Sequence, residues 1–244
     1  MKQEQKPYFS PELSEQEIVS KIIASRELYS AFDVFIVPYY LHPRDDISEA
    51  WIFTNIPSGA LGFSEGRPGD IDLLYVPLFE GRPQPGNCVC AEIKIIRPTR
   101  ANPGKDHKDS GREQIVGLLQ RRVPVISLNH IILPDTNRVL HQISETEDAM
   151  ESMREIGPYL SGINNERQEG RLKSLALPEC VGYGAALIEE VGHFLMSTVN
   201  HGRFCTHNPE YDGSFDSHLM NFLEKRPKPE IVLPARPGHG KSWV

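Results

Sequence analysis

Two apolar runs of this chain carry charged side chains where a buried strand would have none. PGDIDLLYV (68–76) holds Asp70 and Asp72, and CVCAEIKII (88–96) holds Glu92 and Lys94. Acids and a lysine inside an apolar strand are costly unless they are paired, hydrated or bound to a metal. Two carboxylates can hold Mg²⁺, a hard cation that takes oxygen ligands and keeps several waters. Such a cation lowers the pKa of a bound water and neutralises charge that builds on a phosphate. A lysine beside it can position the water or stabilise a negative transition state. The backbone carbonyl of Ile93, between the acid and the lysine, is well placed as a further ligand. Hydrolysis of a phosphodiester asks for this set. The bland alternative is a surface ion pair of Lys94 with Glu92 or Asp72.

The elements that must position these residues are strands. Alternation puts Val89, Ala91, Ile93 and Ile95 on one face and Cys88, Cys90, Glu92 and Lys94 on the other. Glu92 and Lys94 then stand about 7 Å apart along the strand. The connection EGRPQPG contains both Gly and Pro, so strands at 71–78 and 87–96 are expected to form an antiparallel hairpin. The partner strand can bring Asp72, or Asp70 two residues earlier, next to Glu92.

A Gly-Asp-Ile-Asp segment, a loop and then an apolar strand with Glu-x-Lys resembles the PD-(D/E)XK nuclease superfamily, and the separation of Asp72 from Glu92 lies within its range. The resemblance covers about residues 14–132. It implies a restriction-endonuclease-like α/β fold, a mixed β-sheet core flanked by helices. It implies Asp72 and Glu92 as metal ligands, with Asp70 auxiliary, Lys94 in catalysis, and Mg²⁺ or Mn²⁺ as the cofactor. The family often has an acid in the helix before the core. Glu27, between Ile23 and Ala31, matches best; Glu17 has Lys21 as its i+4 partner, and Glu49 stays open. Some members carry a Gln in the helix after the Glu-x-Lys strand, where Gln114 stands. The implied activity is hydrolysis of DNA, endonucleolytic rather than exonucleolytic. The rival is a non-catalytic nucleic-acid- or protein-binding subunit that keeps the fold.

The net charge is −7, which argues against a general polyanion-coating protein. Yet from Lys94 to Arg122 there are eight Lys or Arg against Asp106, Asp109 and Glu113. Because this stretch follows the metal strand, Arg97, Arg100, Lys105, Lys108 and Arg112 are candidates for phosphate-backbone contact. Arg121 and Arg122 equally suit a helix C-terminus. The polar N-terminus, the lack of a long apolar run and the four cysteines point to a reduced cytoplasmic protein off the membrane. A homodimer or a larger nucleic-acid-processing assembly is compatible with these features.

Around the hairpin, Ser14 and Glu17 form a capping-box pattern that opens a helix expected over 14–32. DVFIVPYYL has strand character, and a short strand is expected at 50–55. A helix follows at 110–122, then a buried strand in VPVISLNHIIL (123–133). The expected division is a core at 1–140, a mainly helical part at 141–226 and a proline-rich extended tail at 227–244. The clearest helices of the second part are expected at 182–200 and in FDSHLMNFLEK (215–225).

Other motifs are set aside. ARPGHGKSWV matches a relaxed phosphate-loop pattern, but only Trp243 and Val244 follow Ser242, too few for the helix that its mechanism needs. His201, Cys205 and His207 match no strong zinc spacing. Cys88 and Cys90 read as small packing residues beside the site, and His130 and His193 as satisfied structural histidines.

Overall fold

A computed structural model describes residues 9–10, 12–25, 47–63, 69–99, 101–103, 105, 111–135, 164–191, 194–226 and 228–234. Helix α1 (Glu15–Ala24) starts at a capping box: Ser14 Oγ accepts from the Glu17 amide, and Glu17 accepts in return from the Ser14 amide at 2.8 Å. Ser25 is extended and ends the helix, so it does not run unbroken over 14–32. Residues 26–32 and the strand expected in DVFIVPYYL lie outside the described residues.

Among the described residues eight strands form one mixed, mostly antiparallel sheet. They are β1 (Ile47–Ile56), β2 (Ile71–Phe79), β3 (Arg82–Pro83), β4 (Val89–Ile96), β5 (Val125–Ile132), β6 (Gly182–Val191), β7 (Phe194–Arg203) and β8 (Ile231–Pro234). The order across the sheet is β7-β6-β5-β4-β2-β1-β8, with β3 paired to β2. β2 and β4 are antiparallel, as the hairpin reading expects; β4, β5 and β6 are parallel. Helix α2 (Arg112–Gln120) lies in the β4–β5 crossover. Helices α3 (Asn165–Leu175) and α4 (Ser214–Lys225) come later.

Each face of the sheet has its own core. Ile18, Val19 and Ile22 of α1 pack with Leu73, Tyr75, Val89, Ala91 and Ile93. On the other face Ile115 and Leu118 of α2, with Phe215 and Phe222 of α4, pack with Phe53, Leu74, Cys88, Cys90 and Leu128. Every residue of β5 is buried, as a central strand covered on both faces requires.

The structure corrects the reading of the second half. Residues 182–191 and 194–200 are not helix but strand, in β6 and β7, and β6 pairs with β5 in the main sheet. A continuous apolar run such as GAALI fits a buried strand or a buried helix equally by periodicity, and here hydrogen bonding on both sides selects the strand. Gly182 admits this: a Cβ there would stand 2.7 Å from Cys205 Cβ. Among the described residues the second half is therefore not mainly helical, although α4 matches the expected helix. Residues 231–234, expected in an extended tail, form β8 against β1. Among the described residues no helix is long and apolar enough to cross a membrane.

Candidate active site at a fork between two strands

β2 and β4 pair only from Leu73↔Ala91 to Tyr75↔Val89. Beyond that point the strands part, and β4 amides that face the gap need other acceptors. Carboxylates supply them. Asp72 Oδ2 accepts from the Ile93 amide at 2.7 Å, and Glu15 Oε1 accepts from the Ile95 amide at 3.1 Å. Alternation holds on β4: Glu92 and Lys94 leave the face occupied by Cys88 and Cys90, whereas Ile93 packs on the α1 side. Lys94 Nζ lies 2.7 Å from Glu92 Oε1 and 3.4 Å from Glu15 Oε2.

The fork is a poor solvent for so much negative charge. Glu92 is 2% exposed, and burial followed by the charge of Asp72 pushes its pKa up to about 8. Burial pushes Asp72 up to about 6, against the opposing pull of the Ile93 amide and Lys94. Lys94 is penalised by burial, but Glu92, Asp72 and Glu15 together raise its pKa. Both carboxylates are therefore harder to ionise than exposed ones, and a divalent cation bound beside them would lower both pKa values.

Helix α2 begins against these side chains. Its N-cap Gly111 has φ 88°, and a Cβ there would meet Leu128 Cδ1 at 2.5 Å, Lys94 Cγ at 3.4 Å and Glu92 Cγ at 3.6 Å. Only glycine allows both that conformation and that approach. Gln114 is half-buried one turn along α2 from Gly111. On the other side of Asp72, the β1–β2 register places Asn55 opposite it, between Thr54↔Leu73 and Ile56↔Ile71. Asn55 has φ 49°, and its Oδ1 is buried with no hydrogen-bond partner among the described residues.

The remaining sequence candidates separate. Asp70 is exposed at the start of β2 and acts on Asp72 through its charge. Glu27 lies outside the described residues. Glu49 stands opposite Leu78, far along β2 from Asp72, and its carboxylate accepts from Trp51 Nε1. Glu15, the first residue of α1, is an acid that the structure does bring beside Lys94, and the sequence reading missed it. Its signal was present: it sits three and four residues before Ile18 and Val19, on the N-terminal extension of the buried stripe of α1.

The basic stretch divides as well. Arg97 Nη2 donates to the Leu13 carbonyl at 2.7 Å, which ties the start of α1 to the end of β4. Arg121 lies over the Phe63 ring, and Arg122 pairs with Asp212. Lys105 is half-buried and Arg112 is exposed beside Gly111, whereas Arg100 and Lys108 lie outside the described residues. His207 Nε2 is 2.7 Å from the Gly86 carbonyl oxygen, and Cys205 is buried, so neither shows a zinc-site arrangement.

Among the described residues no group of three or more His, Cys, Asp or Glu side chains is arranged to hold a metal ion. A two-carboxylate site is what the fork offers. Asp72 Oδ1 and Glu92 Oε2 take no part in the bonds above, and Mg²⁺ needs only one or two carboxylates with waters and substrate oxygens. A scan of family models, a search of curated proteins and a search of solved structures each find no match.

Proposed function

We propose that this chain is a metal-dependent nuclease of restriction-endonuclease-like fold that hydrolyses phosphodiester bonds in DNA. The observation that carries the reading is the meeting of Asp72, Glu92 and Lys94 at the fork, a half-buried and a buried carboxylate with raised pKa values beside one lysine. Asp72, Glu92 and the Ile93 carbonyl would hold Mg²⁺ or Mn²⁺, with Asp70 adding negative charge nearby. The cation, when bound, supplies an acidified water and charge neutralisation at the phosphate. Lys94 donates hydrogen bonds to the attacking water and to the phosphate oxygens as charge grows on them. The water oxygen attacks phosphorus and gives its proton to solvent, the bond to the leaving oxygen breaks, and that oxygen takes up a proton from solvent. Gln114 orients the water from the α2 side. Lys105 and Arg112, with Arg100 and Lys108, contact the flanking phosphates. Arg97 serves through its tie to Leu13. The protein acts in the cytoplasm, alone, as a homodimer or within a larger nucleic-acid-processing assembly.

The test is cleavage of supercoiled and linear DNA by wild type and Lys94→Ala with Mg²⁺, Mn²⁺ or EDTA. Metal-dependent cutting by wild type, lowered at least about 100-fold in the variant, is expected from the loss of one charged transition-state contact. A second reading has one observation in its favour: the Lys94–Glu92 and Asp72–Ile93 contacts satisfy these groups without a metal. A nucleic-acid- or protein-binding subunit would keep them as structure. DNA binding indifferent to EDTA, with no cutting by folded wild type in any metal, would decide for that reading.

A further inference from the structure

The face that carries Glu92 and Lys94 continues across the parallel strands. In the β4–β5 register Glu92 stands beside Leu128 and Lys94 beside His130. The common face is visible at Gly111, where one point lies within 3.6 Å of Leu128 Cδ1, Lys94 Cγ and Glu92 Cγ. His130, two residues beyond Leu128, shares it. Tyr183 on β6 stands beside Leu128 and reaches His130, with its Oη 3.0 Å from Nδ1 and the two rings edge to face at 89°. Both rings are buried, His130 at 0% and Tyr183 at 2% exposure.

Packing alone does not ask for this pair. The other β5 residues on that face, Ile126, Leu128 and Ile132, are aliphatic. A buried imidazole that hydrogen-bonds a phenol, on the strand position beside Lys94, is a costlier choice than another Ile or Leu. The geometry points to His130, oriented by Tyr183, as a positioning residue for Lys94: it closes the β5 side of the lysine and keeps its ammonium turned toward the carboxylates of the fork. This inference rests on the nuclease reading and assigns no proton transfer to His130.

The experiment compares wild type, His130→Leu, His130→Gln, Tyr183→Phe, Lys94→Ala and the double variant His130→Leu/Lys94→Ala. Cleavage of a DNA duplex in Mn²⁺ is measured at steady state and, for slow variants, as single turnovers with excess enzyme. Mn²⁺ affinity is measured by calorimetry. Supporting positions of this kind cost about 10–100-fold when removed. His130→Leu and Tyr183→Phe should lose that much in kcat, with KM and the Mn²⁺ Kd within about twofold, and His130→Gln should recover part of it. In the Lys94→Ala background His130→Leu should have no further effect, because a residue that acts only through another adds nothing once that other is gone. A full additional loss in that background, or a loss confined to KM or to Mn²⁺ affinity, would overturn the positioning role. Tyr183→Phe removes one oxygen and decides the matter if His130→Leu does not fold. If wild type cuts DNA and both variants cut equally well, this inference alone falls. If folded wild type cuts nothing, the nuclease reading falls and takes this one with it.

Discussion

Glu15 shows how a charged side chain can serve the site without belonging to its chemistry. It accepts the Ile95 amide and lies 3.4 Å from Lys94 Nζ, so it completes a broken ladder and shares the lysine with Glu92. Glu15→Ala should cost at most about 1 kcal/mol in urea unfolding, because water can replace part of the lost bond. It should lower single-turnover cleavage about tenfold, as loss of a supporting contact does. Glu15→Gln keeps the acceptor but not the charge; it should recover the stability and leave the rate low, and equal recovery of both would refute a charge role. Asn55 poses the opposite case, a residue opposite Asp72 in a left-handed conformation. Glycine adopts that conformation freely, whereas a β-branched side chain there is strained. Asn55→Gly should leave Tm within about 2 °C, while Asn55→Val should lower it by about 4 °C or more for a chain of this size. A reversed order in a thermal melt would mean that the backbone strain is not what selects asparagine.

At the scale of elements, the site depends on two helix beginnings. The start of α1 is fastened to the end of β4 by the Arg97–Leu13 and Glu15–Ile95 bonds. The start of α2 touches the stems of Glu92 and Lys94 at Gly111. An added methyl at Gly111 meets Leu128 and needs a positive φ, so Gly111→Ala should destabilise by about 1–3 kcal/mol. It should also displace Lys94 and lower cleavage. The neighbouring Arg112→Ala is at an exposed position and should stay within about 0.5 kcal/mol while weakening DNA binding. Urea titrations of both variants, beside a binding isotherm at two salt concentrations, separate the two effects.

For the whole molecule, the raised carboxylates make stability depend on pH and on divalent cations together. Asp72 and Glu92 hold protons up to about 6 and about 8 in the fold, above the ordinary values of 3.8 and 4.5. The folded state therefore binds more protons than the unfolded chain across that window. Without metal, the contribution of these two groups makes stability fall as pH rises from about 4 to about 8. Cation binding displaces those protons, so it strengthens as pH rises. The Tm gain from Mg²⁺ should be larger at pH 8 than at pH 6, and Asp72→Asn should abolish it while raising the metal-free Tm at pH 8. A Mg²⁺ shift that is absent, or equal at both pH values, would count against cation binding at the fork.

Much of the site was legible because it is local. Alternation alone put Glu92 and Lys94 on one face of β4, turn chemistry brought β2 back beside it, and Ser14 with Glu17 marked where α1 begins. Other features required the assembled sheet. That β2 and β4 part after Ala91, leaving amides for Asp72 and Glu15 to cap, depends on where pairing stops, not on either strand's composition. Glu15 and Ile95 are 80 residues apart, and no local pattern joins them. The local pattern of segment 182–200 predicts a helix, but pairing of β6 with β5 and β7 overrides it, and 231–234 becomes a strand only because β1 has an open edge. Side-chain periodicity is set by neighbours along the chain and can be read from it. Partnership across a sheet is a competition among distant segments for the same backbone donors and acceptors, and only the folded molecule resolves it.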